Sequence, residues 1–443
     1  MIQSLPSSTE VCIVGAGPSG LACAAGLAAR KIPFVLVDAL AEGHNSSRAV
    51  LMQASALEAL EAIDSQLSDD IVAAGIQSKT FAAVDPQEKP VFSLRMTELA
   101  PYTKYAFSLL IQQHKVEQRM REFLYRGGNK VHWNKRVSDV KELADSSKYY
   151  ELQFDSGEML TARYVVAADG SKSVLRSLAG IRFINPYTKK EAGPGADDLS
   201  FVVADVLFSS PLPANIPRDG LQMKVGTGGV ILTAPLLDPT PSADSHLFRL
   251  YIGVPDTPPR TPDAPYLQAI LDARGPGSNS TQRAVPKIVE VLDSSRYRTR
   301  PALADSYVQR TEGGAYILLV GDAAHKHGPA GGQGMNMGIC DGCELALAIH
   351  AHHNVSLGIV EEKTEAAIAK RDAAEIFDEY SKRRRAVARK VINMVQDMME
   401  VETGGPGWFP YVRLIVVRIL FKLPFVNGLI AWRLSGLGHA KKA

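Results

Sequence analysis

The strongest constraint on the fold lies near the N-terminus. Val11–Gly15 is a short apolar run that predicts a buried strand, and Gly15-Ala16-Gly17-Pro18-Ser19-Gly20 follows it. An alanine-rich stretch to about Arg30 predicts a helix, and a second apolar strand, Phe34–Val37, ends at Asp38. The result is a βαβ unit with GxGxxG at the turn and an acidic residue where a ribose would lie. Gly15 makes the turn, Gly17 lets a pyrophosphate approach the backbone, and Gly20 lets helix and strand pack closely. Asp38 can accept hydrogen bonds from ribose hydroxyls. This commits the region to an α/β, Rossmann-like layer around a dinucleotide, without distinguishing NAD from FAD.

Two further strand-to-turn stretches have the same logic. The apolar run Tyr316–Val320 leads into Gly321-Asp322-Ala323-Ala324-His325-Lys326-His327-Gly328-Pro329-Ala330-Gly331-Gly332-Gln333-Gly334-Met335-Asn336-Met337-Gly338, and Ile339–Ala351 then reads as a helix. A turn between strand and helix presents free backbone N–H groups at the helix start. Asp322 is a fixed carboxylate at the strand exit, and four glycines between 328 and 334 let a flat ligand lie against the backbone. The third stretch is the buried strand Tyr164–Ala168 followed by Asp169-Gly170-Ser171-Lys172-Ser173-Val174-Leu175-Arg176.

Together, in this order, the three stretches resemble the cofactor signatures of the single-component aromatic hydroxylases. These are FAD-dependent monooxygenases with the p-hydroxybenzoate hydroxylase fold, and the chain is most like their fungal biosynthetic members. The resemblance implies an α/β fold: a Rossmann-like FAD-binding domain of the GR2 type, an inserted antiparallel-sheet substrate domain and a helical C-terminal region. It also implies residue roles. Arg48 would reach the cofactor's phosphates and ribose, and Gln113, or alternatively Gln112, would contact the flavin. Asp169 would bind main-chain and cofactor groups, with Arg176 holding the fold nearby. Pro329 would lie near the oxygen-bearing side of the ring, while Gly332, Gly334, Met335 and Asn336 would offer backbone donors to its pyrimidine edge.

The length of 443 residues allows two to three domains. Residues 1–75, 105–180 and 300–403 are expected to form the FAD-binding domain, 76–104 and 181–299 the substrate domain, and 404–443 an apolar helical tail. Strands are expected over Val131–Val140 and Tyr149–Phe154. Alternating patterns predict others over Leu199–Phe208, Gln222–Val225, Val230–Ala234 and His246–Val254. Helices are expected over Gln113–Tyr125, Pro265–Ala273 and Ala373–Glu402. In Phe248–Val254 the two-residue period puts Arg249 and Tyr251 on one face. A similar strand in the p-hydroxybenzoate enzyme turns its arginine toward flavin and its tyrosine toward substrate. The candidate catalytic residues are therefore Tyr251, Arg249, His246 and Pro329, with Tyr187 as another base or relay.

Composition removes some classes. A net charge of +2 gives no concentrated basic face for nucleic acid. The four cysteines suit a reducing compartment, and no charged-then-apolar leader is visible, so a cytoplasmic location is expected. Cys340 and Cys343 stand at helical spacing and predict packing, so no metal is expected. Trp133, Trp408 and Trp432 form no halogenase-like motif. Lys382-Arg383-Arg384-Arg385 reads as a solvated helix face. The tail Trp408–Leu437 contains no uncharged run of the roughly 18 residues a spanning helix needs. It admits two readings, a lid over the domain seam or peripheral contact with a membrane.

The expected activity is insertion of one atom of O2 into an electron-rich, fairly apolar phenolic metabolite through a C4a-hydroperoxyflavin. FAD is the cofactor, and NADPH or NADH the electron donor. Epoxidation, Baeyer–Villiger insertion and a non-oxygenating flavoprotein redox partner remain alternatives, and so do monomer and homodimer.

Overall fold

The computed structural model describes residues 4–43, 49–143, 148–192, 200–226, 228–238, 244–280, 283–298, 300–358, 373–403 and 409–440. Arg48 and Trp408 lie outside them.

Four apolar runs zip into a parallel sheet. The strands Tyr316–Leu319, Met159–Ala167, Ser8–Val14 and Phe34–Val37 lie side by side, with Val131–His132 at one edge and Val308–Arg310 antiparallel at the other. Central strands covered on both faces should be continuously apolar, and Val11–Ile13 and Tyr164–Ala167 are fully buried. The hairpin Val137–Glu142/Tyr150–Phe154 extends Met159–Ala167. Helix Pro18–Ala29, buried from Gly20 to Leu27, packs between this sheet and helix Gln333–Ser356. Proline at its first position costs it no hydrogen bond.

The expected strand Val131–Val140 is in fact two, Val131–His132 and Val137–Glu142. The chain breaks at Asn134, which has φ 58°, and there the backbone turns from one neighbour to another.

A second sheet has seven strands, in the order Ile288–Arg298, Ser200–Ser209, Ser245–Val254, Gly229–Pro235, Leu221–Gly226, Thr80–Val84 and Pro90–Arg95. It is antiparallel except where Leu221–Gly226 runs parallel to Thr80–Val84, which corrects the wholly antiparallel expectation. Ile288–Arg298 was not expected. Its centre, Asp293-Ser294-Ser295-Arg296, has no apolar alternation, and its pairing with Ser200–Ser209 makes it a strand. One face of this sheet packs Val202, Val206, Phe248, Leu250 and Ile252 against Leu267 and Leu271 of helix Ala264–Arg274.

The C-terminal region is helical: Ala373–Thr403, Phe409–Leu420, Pro424–Leu434 and the short turn Leu437–Ala440. The tail lies across the sheet edge. Phe421 stacks on Phe92 with centroids 4.7 Å apart, Arg418 donates to Asp85 (2.6 Å), and Asn427 accepts from the Arg95 N–H (2.8 Å). None of the described helices is long and apolar enough to cross a membrane.

A buried charge cluster fixes the long helices beneath the parallel sheet. Asp341 of Gln333–Ser356 is fully buried. Its Oδ1 accepts from Arg384 Nε (2.5 Å), and its Oδ2 lies 2.6 Å from His325 Nε2 and accepts from the Gly321 N–H (3.1 Å). Arg384 also donates to Glu344 (2.9 Å). The basic run is therefore only partly a solvated face, because Arg384 points inward. Burial works to raise the Asp341 pKa, but Arg384 and His325 outweigh it and hold the carboxyl at about 2. Its ionised form thus stabilises the fold above the ordinary carboxylate range, and that contribution disappears as pH falls through about 2.

Arg384→Ala strands a buried carboxylate and should cost about 3–5 kcal/mol in urea denaturation. Arg383→Ala removes only a half-exposed partner of Glu344 and should cost about 0–1 kcal/mol. Equal losses would contradict this division.

Candidate active site

The three glycine-rich signatures meet at the C-terminal ends of neighbouring parallel strands, where α/β sheets bind ligands. Gly15 has φ +110°, and a Cβ there would run into the Ala168 carbonyl. Added Cβ atoms at Gly321 and Gly338 would strike Ser19. The first loop therefore touches the other two. Arg176 joins the remaining pair: buried, it donates to the carbonyls of Ala323 (2.9 Å) and Ser171 (3.3 Å), with its guanidinium 4.0 Å from the Phe183 ring centroid.

The residues present fit a dinucleotide. No side chain caps helix Pro18–Ala29, so its first N–H groups are available to an anion. A Cβ on Gly17 would enter open space, while one on Gly20 would strike the Gly15 carbonyl. Asp38 anchors the turn by accepting from Ala16 N–H (2.7 Å) and Leu40 N–H (2.9 Å). Asp169 Oδ2 accepts from Val174 N–H (2.8 Å) and Leu175 N–H (3.2 Å), while its Oδ1 is buried without a partner. Burial raises the Asp169 pKa against those hydrogen bonds. A buried acceptor of this kind calls for a donor. Asp322 is exposed at the strand exit.

The glycine loop differs from expectation. The helix begins at Gln333, not Ile339, after a tight turn over Ala330–Gly332. Gly332 adopts φ 61°, and a Cβ there would come within 2.9 Å of Leu51. No side chain caps this helix either, so the donors of Gln333, Gly334 and Met335 belong to a helix N-terminus. The Asn336 side chain has a role of its own beside the backbone donor expected of it. Its Oδ1 accepts from Gln53 N–H (2.7 Å), and its Nδ2 donates to the Leu51 (2.9 Å) and Gly332 (2.7 Å) carbonyls. That amide clamps the loop, with both Nδ2 donors spent on backbone carbonyls.

A cavity of about 740 Å³ opens beside this loop. Pro329–Gly332 form one side, Phe81, Leu221, Met223, Leu232 and Tyr251 of the second sheet another, and Phe421, Ile430 and Leu434 of the tail a third. Its polar groups come from Tyr251 and from Lys390, Asn393, Asp397, Arg433 and His439. The last five were missed in the sequence. Lys390, Asn393 and Asp397 stand at i, i+3 and i+7, one face of a helix, which was the available signal.

Tyr251 is thus a wall residue; burial raises its pKa, opposed by Arg249. Arg249 is corrected. It is fully buried, paired with Asp205 across the strands (2.5 and 2.7 Å), and donates to the Ala49 carbonyl (2.7 Å). Gln112 joins the same Asp205 (2.9 Å). Arg249 therefore locks the second sheet to the loop before Val50 and does not line the cavity. His246 is also corrected, since its parity matches Phe248, Leu250 and Ile252, which face helix Ala264–Arg274. Tyr187 donates to the Ile392 carbonyl (3.2 Å) and Asn393 (3.3 Å) from an exposed position outside the cavity wall. Gln113 donates to Glu117 (2.9 Å) on its own helix.

Comparison with known proteins places this geometry. The 6-methylpretetramide 4-monooxygenase of Streptomyces rimosus is 28% identical over 345 residues, 76% of this chain and 55% of that protein. The chain thus spans about half the length of that relative. The 12-dehydrotetracycline 5-monooxygenase/anhydrotetracycline 6-monooxygenase of the same species is 25% identical over 440 residues, 97% of this chain and 76% of that protein. Among solved structures, p-nitrophenol 4-monooxygenase from Pseudomonas putida superposes with a TM-score of 0.75 at 22% identity, over 98% of this chain and 99% of that one. Klebsiella pneumoniae HpxO complexed with FAD and uric acid gives 0.69 at 20% identity, over 96% of this chain and 97% of that one. Matched by the profile of the FAD binding domain family over residues 8–223 and 278–395, well over half its length, the chain belongs to that family.

Proposed function

We propose that the protein is a NAD(P)H-consuming, FAD-dependent monooxygenase that adds one oxygen atom to a phenolic, largely apolar, multi-ring substrate. One observation carries this reading: the cavity is bounded on one side by the Pro329–Gly332 loop and on the others by a mainly apolar sheet and lid, with a few polar groups from the long helix and the tail. A volume of about 740 Å³ suits a ligand of several rings. The names of the Streptomyces relatives, which act on tetracycline-type compounds, support the same class.

When bound, FAD supplies the redox chemistry, accepting hydride from the reduced nicotinamide and activating O2. The chain's residues do the rest. The uncapped helix starts at Pro18 and Gln333, together with Asp38, Asp169 Oδ1 and Asp322, hold the cofactor. Arg48, at the end of the segment before Ala49, is assigned to its phosphates. Pro329 borders the reacting side. The apolar walls exclude water, and Tyr251 orients the ring by its hydroxyl. In this reading residues 1–75, 105–180 and 300–403 bind the cofactor, 76–104 and 181–299 the substrate, and 404–443 close the cavity.

The outer face of the tail adds a proposed membrane contact. Ile415, Val416 and Ile419 share one exposed helix face, and Phe425 is 67% exposed. Residues 404–443 contain Arg413, Arg418, Lys422, Arg433, Lys441 and Lys442 but no Asp or Glu. An exposed apolar stripe on a segment whose sequence carries only positive charge suits an anionic lipid surface.

Screening aromatic compounds for those that stimulate NADPH oxidation, with mass analysis for one added oxygen, tests the activity; no stimulation by any phenol would argue against it. Asp322→Ala should weaken FAD binding about ten- to a hundredfold, as expected from losing a charged hydrogen bond of about 1.5–3 kcal/mol; retention of full yellow flavin would remove Asp322 from the site. Tyr251→Phe should lower product formation several-fold at unchanged FAD content, and unchanged turnover would exclude it. The full chain should co-sediment with phosphatidylglycerol vesicles more than with phosphatidylcholine vesicles, and an Ile419→Glu/Phe425→Glu variant should stay in the supernatant. Identical sedimentation of both would dismiss the contact.

A further inference from the structure

Although apolar over most of its surface, the cavity has one polar side, lined by the long helix Ala373–Thr403 and the lid helix Pro424–Leu434. Lys390, Asn393 and Asp397 border it from the long helix, and Met394 and Met398 line it from the same helix. Met398 lies at the glycine loop, since a Cβ on Gly331 would come within 3.6 Å of its sulfur. Lys390 stands two turns earlier, about 12 Å away along the helix axis at about 1.5 Å per residue. A guest of several rings with one end on the loop therefore brings its other end toward Lys390. Arg433 borders the cavity from the lid helix.

Most cations of the basic helix segment are already engaged. Arg383 pairs with Glu344, Arg384 with Asp341 and Glu344, and Arg385 donates to the Ala304 carbonyl. Lys390 and Arg433, by contrast, are exposed and have no ion-pair or hydrogen-bond partner among the described residues. Asp397 is the single carboxylate among the described lining residues, so the two cations leave this side of the cavity net positive. The nearby His439 senses that field. Burial first, then Arg384 and Lys390, hold its pKa below the ordinary value, with no carboxylate offsetting them. A cation beside apolar, low-dielectric walls attracts an anion more strongly than one in open water.

We propose that Lys390 and Arg433 select substrates carrying an anionic oxygen group, a carboxylate or the enolate of a 1,3-dicarbonyl, at the end of the molecule away from the glycine loop. The assignment deepens the phenol-site reading of this cavity and rests on it. The rings lie between the sheet residues Phe81, Leu232 and Tyr251 and the methionines of the long helix. The anion stays at the opening, where it keeps part of its hydration and pairs with the two cations. That pairing fixes which end of the guest meets Pro329–Gly332, so it sets both substrate choice and the position oxygenated. A neutral ring of the same shape keeps the apolar contacts and loses the orientation.

The test uses the FAD-loaded full chain and two fluorescent phenols that differ in charge alone, 6-hydroxy-2-naphthoate and its methyl ester, with binding followed by anisotropy. Wild type should bind the acid more tightly than the ester, and added salt should shrink the difference. Lys390→Met and Arg433→Met should each weaken acid binding about three- to fivefold, the size of a solvent-exposed ion pair, and leave ester binding and FAD content unchanged. Lys390→Arg should keep the preference, and Lys390→Glu should reverse it. Lys382→Met, an equal loss of charge on the same helix away from the cavity, should change neither. Ester bound as tightly as acid, or an acid preference untouched by both Met variants, overturns the assignment. A raised KM for NADPH in those variants at unchanged acid binding overturns it too, giving the cations to the nicotinamide cofactor. Binding of neither probe to wild type fails the phenol-site reading itself, and this assignment with it.

Discussion

The ion pair between Arg249 and Asp205 is the constraint on which the site depends. Neither side chain reaches solvent freely, and each is needed to neutralise the other. Their geometry does more than cancel charge. Asp205 also receives Gln112, at the start of helix Gln113–Arg126, and Arg249 reaches the Ala49 carbonyl. One buried pair therefore joins two strands of the second sheet, a helix and a loop of the cofactor region. Such a joint has few alternative arrangements, because each alternative leaves a charge unpaired in low dielectric. The seam beside it can be hollow without being loose.

A comparable device lies on the other side of the cofactor region. Asp341 ties His325, Arg384 and the Gly321 N–H together, so the turn carrying Asp322 is braced from beneath by two long helices. Asn336 does the same for the glycine loop, binding Gln53, Leu51 and Gly332. The polar side chains around the site thus divide by role. Some hold the backbone that will present N–H groups, and others, Asp169 Oδ1 and His439 Nε2 among them, are left without a partner. This separation permits preorganisation, since a group bonded within the protein does not need to be reoriented by a ligand.

The lid has an inner and an outer face. Its inner side chains, Phe421, Ile430 and Leu434, complete the cavity, while Ile419 and Phe425 project outward. The lid reading of the tail follows from hydrogen bonds that fasten it, through Arg418 and Asn427, to the Thr80–Arg95 hairpin. Those partners are more than three hundred residues apart in sequence, so no local pattern announced them.

Much of the architecture was legible because it is written in local rules. GxGxxG between two apolar runs, the Asp169 turn and the Asp322 turn each state a strand, a tight bend and a helix start, and they recur in order. Patterning over Leu199–Phe208 and His246–Val254 likewise foretold the strands Ser200–Ser209 and Ser245–Val254. What stayed illegible was decided by neighbours. Ile288–Arg298 is a strand because Ser200–Ser209 offers it hydrogen bonds. Arg249 looked like a residue aimed at a ligand, yet its partner Asp205 stands forty-four positions earlier and turns it into a joint. His439 carried no motif at all. Backbone preference and hydrophobic period are properties of short segments, so the sequence determined which elements form and where the cofactor turns lie. Charge pairing and burial are properties of assembled surfaces. Tertiary structure alone therefore decided which polar side chains are consumed as struts and which buried polar atoms are left without a partner.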